Sequence, residues 1–171
     1  AEPLLVDWID TPLGPMIAAA DAAHLYLLEF TDRKALPKQF ARLSKIHRRA
    51  IVPGQTDITL RIKDELAGYF VGTLTAFTTP LAPTGTAFQK QTWAALCDIP
   101  YGQTRSYAQL AASVGNPKAV RAVAGSNASN GLALILPGRR VIRTGGHLGG
   151  YAGGLGRKDW LLAHEARHTP T

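Results

Sequence analysis

The sequence predicts an α+β protein built in two successive parts, and three observations lead there. The chain opens on short apolar runs separated by turn residues, the pattern of strands. Segments with amphipathic helical spacing follow. A segment with two prolines, 78–85, then coincides with an abrupt change in charge. A length of 171 residues suits one or two small domains.

In the first part, residues 4–9 and 16–20 flank the turn signal Thr11-Pro12-Leu13-Gly14-Pro15. With residues 24–30 they read as strands of an antiparallel sheet. Residues 34–48 are basic, with Leu36, Phe40, Leu43 and Ile46 at helical spacing, which predicts a surface helix. Residues 57–71 repeat the pattern with Ile58, Leu60, Ile62, Leu66 and Tyr69, and Gly72 supplies the stop. Pro80 and Pro83 favour extended backbone, so 78–85 is the expected linker. The boundary falls near residue 83, giving parts 1–83 and 84–171.

The second part starts with a helix, 86–97, and a turn at Ile99-Pro100-Tyr101-Gly102. Ser106-Tyr107-Ala108-Gln109 fits a Ser-x-x-Gln capping box that opens a helix to Val114. Gly115-Asn116-Pro117 breaks it, and a further helix is expected over 118–128. Helix, short glycine-containing turn and helix is the helix-turn-helix layout.

The net charge of +7 is unevenly placed. Residues 1–85 carry nine Lys/Arg and nine Asp/Glu, whereas residues 86–171 carry ten and three, so the excess lies wholly in the second part. A basic half joined to a neutral half points to a polyanionic partner, most commonly nucleic acid.

Other classes are excluded or disfavoured. The single cysteine, Cys97, forbids an intrachain disulfide and a cysteine-rich zinc site. It reads as a buried small hydrophobe. His164 and His168 read as solvated helix-end residues, placed to suit the helix dipole. No metal and no cofactor are expected. No apolar run approaches the ~18 residues of a membrane span, and the first residues lack a signal-peptide pattern. No membrane partner and a cytoplasmic, DNA-associated location are the expectations.

The second helix of the pair is made of short side chains: Ala119, Val120, Ala122, Val123, Ala124, Gly125, Ser126 and Ala128, with only Arg121 and Asn127 longer. Such a helix can pack tightly on its own domain. It can also approach a narrow groove, with one long side chain as a wedge. Arg121 is then the wedge, beside Ala122, Gly125 and Ser126.

Seven collinear motifs carry a family resemblance. They are Gly85-Thr86-Ala87-Phe88-Gln89, then 99–104 (Ile-Pro-Tyr-Gly-Gln-Thr), Ser106-Tyr107-x-x-Leu110-Ala111, 115–123 with Asn130, Pro137-Gly138-Arg139-Arg140-Val141, 150–155 and 157–165. In order and spacing they resemble the O6-alkylguanine-DNA alkyltransferases, and Thr11-Pro12-Leu13-Gly14 extends the resemblance to nearly the whole chain. The resemblance implies a ribonuclease H-like first domain, a winged-helix-like second domain and a monomer. It gives Arg121 the role of a finger entering the base stack. Tyr107 is the residue that turns the 3′ phosphate, and Asn130 the hinge to an active-site strand. Tyr151, Ala152 and Gly153 form the pocket wall, and main-chain groups of Gly138, Val141 and Ala152 read the base edge. Glu165 is the acid that orients a catalytic histidine.

Two positions depart from the family pattern, Pro-Cys-His-Arg-Val. Its acceptor cysteine is Gly138 here and its histidine is Arg139. Glycine has no nucleophile, and a guanidinium does not deprotonate in a protein. The chain is therefore similar to alkyltransferase-like proteins, which bind alkylated DNA and mark it for other repair proteins. The expectation is a minor-groove binder that flips an alkylated base and senses it without transfer. Hydrolytic, glycosylase-like action by Glu165 on the flipped base and lesion-independent DNA binding stand as alternatives. With no imidazole to orient, Glu165 is expected to pair with Arg139, or Arg139 to donate into the pocket.

Overall fold

The computed structural model describes residues 2–170, which divide into two compact units, one ending at Thr84 and the other beginning at Gly85. In the first, β1 (Leu4–Ile9), β2 (Met16–Ala20) and β3 (Leu25–Phe30) form an antiparallel meander. A fourth strand, β4 (Ile51–Pro53), adds to β1 in parallel, giving the order β3-β2-β1-β4.

All five residues of the central strand β2 are buried, so both faces of the sheet are covered. Helix α1 (Leu36–His47) covers one, placing Leu36, Phe40 and Leu43 against Val6, Ala19, Leu27 and Ile51. Helix α2 (Asp57–Val71) covers the other. Lys63 of α2 reaches Asp7 at 3.1 Å, and Asp7 leaves β1 on the face opposite Val6. Ile62 and Leu66 of α2 are fully buried, each worth about 1.5–3 kcal/mol in apolar transfer. Thr56 caps α2, and Gly72 ends it at φ 84°, the left-handed conformation glycine adopts without a Cβ penalty.

The expected linker does not run free. Leu25 N–H donates to Pro80 O and Ala82 N–H donates to Leu25 O, so this stretch lies along β3. Glu65 of α2 holds its start: one carboxylate oxygen accepts from Thr78 N–H (2.8 Å) and the other from Thr79 N–H (2.9 Å). Two prolines leave backbone carbonyls available for such pairing, which composition does not reveal.

The second unit contains α3 (Ala87–Cys97), α4 (Tyr107–Ser113), α5 (Val120–Ala128) and α6 (Leu155–His168). Two-residue strands, β5 (Arg105–Ser106) and β6 (Val141–Ile142), pair in parallel. Ser106 and Gln109 form the capping box read from the sequence. Helix α5 starts at Val120, two residues later than expected, because Pro117 and Lys118 form a turn. Trp93 Nε1 donates to Ser126 O at 2.7 Å and fastens α5 to α3. The architecture is thus a mixed α/β unit followed by a helix-turn-helix unit. No described helix is long and apolar enough to cross a membrane.

Candidate functional site

Helical periodicity divides α5 cleanly. Val123, Ser126 and Asn127 face inward, while Arg121, Ala122, Gly125 and Ala128 are exposed. The outward face therefore carries one long basic side chain among small ones. Ser126 departs from the expectation that it joins this face: it is buried, and its carbonyl accepts from Trp93. Tyr107 opens α4, and its hydroxyl lies 3.5 Å from Gly150 O, at the border of hydrogen bonding. The loop that follows β6 holds Tyr151 and Gly153 half-buried and Ala152 exposed.

Asn130 joins the helix pair to the segment behind it. Its Oδ1 accepts from Leu132 N–H (2.7 Å) and its Nδ2 donates to Leu136 O (3.0 Å), both inside the protein. The segment it holds is not the strand expected there. Gly138–Arg140 forms a single 3-10 turn closed by Arg140 N–H to Pro137 O (3.0 Å), and only Val141 and Ile142 are strand.

Gly138 is packed where a side chain would collide. A Cβ built on it would lie 2.7 Å from Oδ1 of Asn127, whose Nδ2 donates to Gly138 O at 3.3 Å. The Asn127 carboxamide thus covers the point from which any residue-138 side chain would start. Nothing in the sequence marked Asn127, because its partner is eleven residues away and is glycine.

Beside this turn lies a buried ion cluster. Arg139, 1% exposed, places Nε and Nη2 each 2.7 Å from Oε2 of Glu165, and its Nη1 donates to Leu134 O at 2.7 Å. Arg140 donates from Nε to Oε1 of Glu165 (2.7 Å) and from Nη1 to Ile99 O (2.8 Å). Gly102 N–H adds a longer contact to Oε1 (3.3 Å), and Gly102 sits at φ 79°, a backbone conformation suited to glycine. The pairing of Arg139 with Glu165 is the one expected from the sequence. Arg140 was not expected in it, although its place beside Arg139 made it a candidate. Leu134 carries its carbonyl to Arg139 at φ 72°, strained for a branched side chain.

Lys158 is a second buried cation that sequence reading passed over. It is fully buried, and its Nζ donates to Val141 O (2.6 Å) and Gly150 O (3.2 Å), tying β6 to the glycine-rich loop. Desolvation pulls its pKa down to about 8. The carbonyls of Gly138 and Val141, expected to read a base edge, already accept from Asn127 and Lys158.

Two expectations are corrected. Cys97 is exposed, since Leu96 takes the inward position at the end of α3. Partial desolvation and then the charge of Asp98 push its thiol up, which keeps it protonated and a poor nucleophile. His164 is buried, stacked on Trp160 with centroids 4.8 Å apart, and its carbonyl meets Nδ1 of His168 at 2.8 Å.

This unit matches a known family. The family model described as 6-O-methylguanine DNA methyltransferase, DNA binding domain, matches residues 87–167. A methylated-DNA–protein-cysteine methyltransferase of Methanosarcina barkeri is 41% identical over 162 residues, covering 93% of this chain and 95% of its own. The Mycolicibacterium paratuberculosis protein of the same name is 49% identical over 162 residues, covering 95% and 92%. The crystal structure of Mycobacterium tuberculosis OGT in complex with DNA superposes with a TM-score of 0.82 at 37% identity, covering 100% of this chain and 96% of its own. On this identity and coverage, the chain belongs to the methylated-DNA–protein-cysteine methyltransferase family.

Proposed function

We propose that this family member is a DNA-repair protein that binds duplex DNA through its helix-turn-helix, flips an O6-alkylated guanine into a pocket and holds it without taking the alkyl group. One observation carries the reading. Where the family's resemblance calls for a thiol and an imidazole, the chain has a side-chain-free residue and a buried guanidinium neutralised by Glu165. A thiol-transfer step needs a nucleophile and a base that can accept its proton. Gly138 supplies no nucleophile, and Arg139 supplies no base.

The binding parts are retained. The outward face of α5 offers Arg121 beside Ala122 and Gly125, a surface that fits a minor groove with one side chain to insert. Tyr107 opens the preceding helix, where its hydroxyl can meet the backbone phosphate of an extruding nucleotide. Asn130 keeps the two segments in register. Tyr151, Ala152 and Gly153 wall the pocket on the loop that Lys158 fastens. Ser126, being buried, supports the helix from within.

Hydrolysis of the flipped base by Glu165 fits less well. Both its oxygens already accept guanidinium hydrogen bonds, which opposes a role as proton acceptor. The test is a competition between duplexes that differ by one O6-methylguanine, with the lesion strand assayed afterwards for base loss. Preference for the lesion duplex with the base retained supports sensing. Abasic sites accumulating with time would make the chain a glycosylase, and equal affinities would leave a lesion-independent binder. Downstream repair proteins are the partners this function requires, and a single copy of the chain suffices for it.

A further inference from the structure

Asn127 has a polar atom for which the protein supplies no partner. The residue is 9% exposed, on the inward face of α5. Its Nδ2 donates to Gly138 O, which fixes the amide orientation, since the reversed amide would set two oxygens together. Its Oδ1 is buried and has no hydrogen-bond partner among the described residues. Buried carbonyl oxygens are nearly always paired, so an orphan beside a candidate pocket calls for a ligand.

The direction of that orphan is informative. The point at which a residue-138 Cβ would sit lies 2.7 Å from Oδ1, 3.5 Å from Cγ and 3.7 Å from Nδ2. With a C=O bond of about 1.23 Å, the first two distances place the point roughly 120° from the C=O axis, along an oxygen lone pair. A carbon there is a clash. A hydroxyl oxygen there is at ordinary O–H···O distance and angle. The loss of the residue-138 side chain thus converts a steric position into a hydrogen-bonding one.

We infer that Asn127 is a specificity residue of the base pocket, whose Oδ1 accepts a hydrogen bond from a donor on the alkyl substituent of the flipped guanine. Hydroxyl-bearing O6 adducts are then preferred to hydrocarbon adducts of the same size. This rests on the lesion-sensing reading above. It adds to it a chemical class of adduct, chosen by an acceptor that an apolar substituent leaves unsatisfied.

The experiment measures, by fluorescence anisotropy, the affinity of the whole protein for three duplexes alike except for one base: O6-(2-hydroxyethyl)guanine, O6-propylguanine and guanine. The first two adducts are nearly isosteric, so size cancels. The expected result is at least about fivefold tighter binding of the hydroxyethyl duplex than of the propyl duplex, the effect of one hydrogen bond of ordinary strength. Asn127→Leu, which keeps the volume and removes the acceptor, brings the ratio to about one. Gly138→Ala, which places a methyl group on the point itself, does the same by a different route. Equal affinity of the native protein for the two adducts, both tighter than guanine, overturns the role of Asn127 and leaves lesion sensing standing. A preference that survives Asn127→Leu overturns it too. Equal affinity for all three duplexes removes the sensing reading, and this inference falls with it.

Discussion

Arg139 holds the Glu165 carboxylate with two nitrogens, each 2.7 Å from Oε2, at a site where both residues are 1% exposed. The carboxylate is shared with Arg140, so one negative charge serves two buried guanidinium groups. A buried cluster of this kind adds little net stability over apolar packing, but removing one member strands the others. It closes the space behind residue 138 with charges that do not titrate near neutrality.

Glu165→Ala is expected to destabilise the second unit by about 3–5 kcal/mol, because two buried guanidinium groups lose their counter-charge. Arg139→Ala, which leaves Glu165 with Arg140, is expected to cost less. Urea denaturation of the two variants beside the native protein measures both. A loss from Glu165→Ala no greater than that of a surface substitution would show that the cluster is solvated.

Restoring the thiol is not expected to restore transfer. Gly138→Cys supplies a nucleophile, but its Cβ must displace the Asn127 carboxamide and its proton has no acceptor in Arg139. Transfer from an O6-methylguanine duplex by this variant is expected to be slower, by about 100-fold or more, than by Gly138→Cys/Arg139→His. Labelled methyl counted on the protein over time gives the ratio. Equal rates would mean that the imidazole contributes nothing at this site.

The strands β1 and β2 and the helix α2 were legible because their signals are local: alternation about a proline-glycine turn, 3.6-residue spacing, a capping threonine and a terminal glycine. The strands β4, β5 and β6 were not, being three, two and two residues long. Such strands are defined by a distant partner rather than by their own pattern. The Arg139–Glu165 pair was readable because the family pattern leaves Glu165 needing a partner. Asn127 and Lys158 were hidden, since their partners are main-chain oxygens, which every residue has. Ser126 and His164 were misplaced for one reason: a small or polar side chain gives no sign of which helix face it occupies. The 3-10 turn at Gly138 follows Pro137 with no periodicity to announce it.

Arg121 is expected to contribute to lesion binding through insertion. Arg121→Ala should weaken binding of an O6-methylguanine duplex by about tenfold, since an extruded base then leaves an unfilled stack. The unmodified duplex, which need not be flipped, should be affected less. Anisotropy titrations at one fixed salt concentration compare the two. An equal loss on both duplexes would assign Arg121 to phosphate contact.

Lys158 makes stability depend on alkaline pH. Its pKa is about 8 in the folded protein and near 10.5 when exposed, so between these values the unfolded chain binds the extra proton. Stability then rises with pH over that window, by up to roughly 3 kcal/mol, and is flat below pH 8 on account of this group. The stability of the native protein minus that of Lys158→Met, followed from pH 7 to pH 11, isolates the contribution. A difference that does not rise with pH would mean that the two carbonyls keep the ammonium charged throughout.

The central claim is that the pocket holds an alkylated guanine and leaves it alkylated. The most direct test mixes the protein in excess with a duplex carrying one O6-methylguanine, isolates the complex, and determines the mass of both protein and lesion strand. The account predicts a complex that prefers this duplex to its unmodified twin, with both masses unchanged. A protein heavier by one methyl group, or a strand returned to guanine, would contradict it.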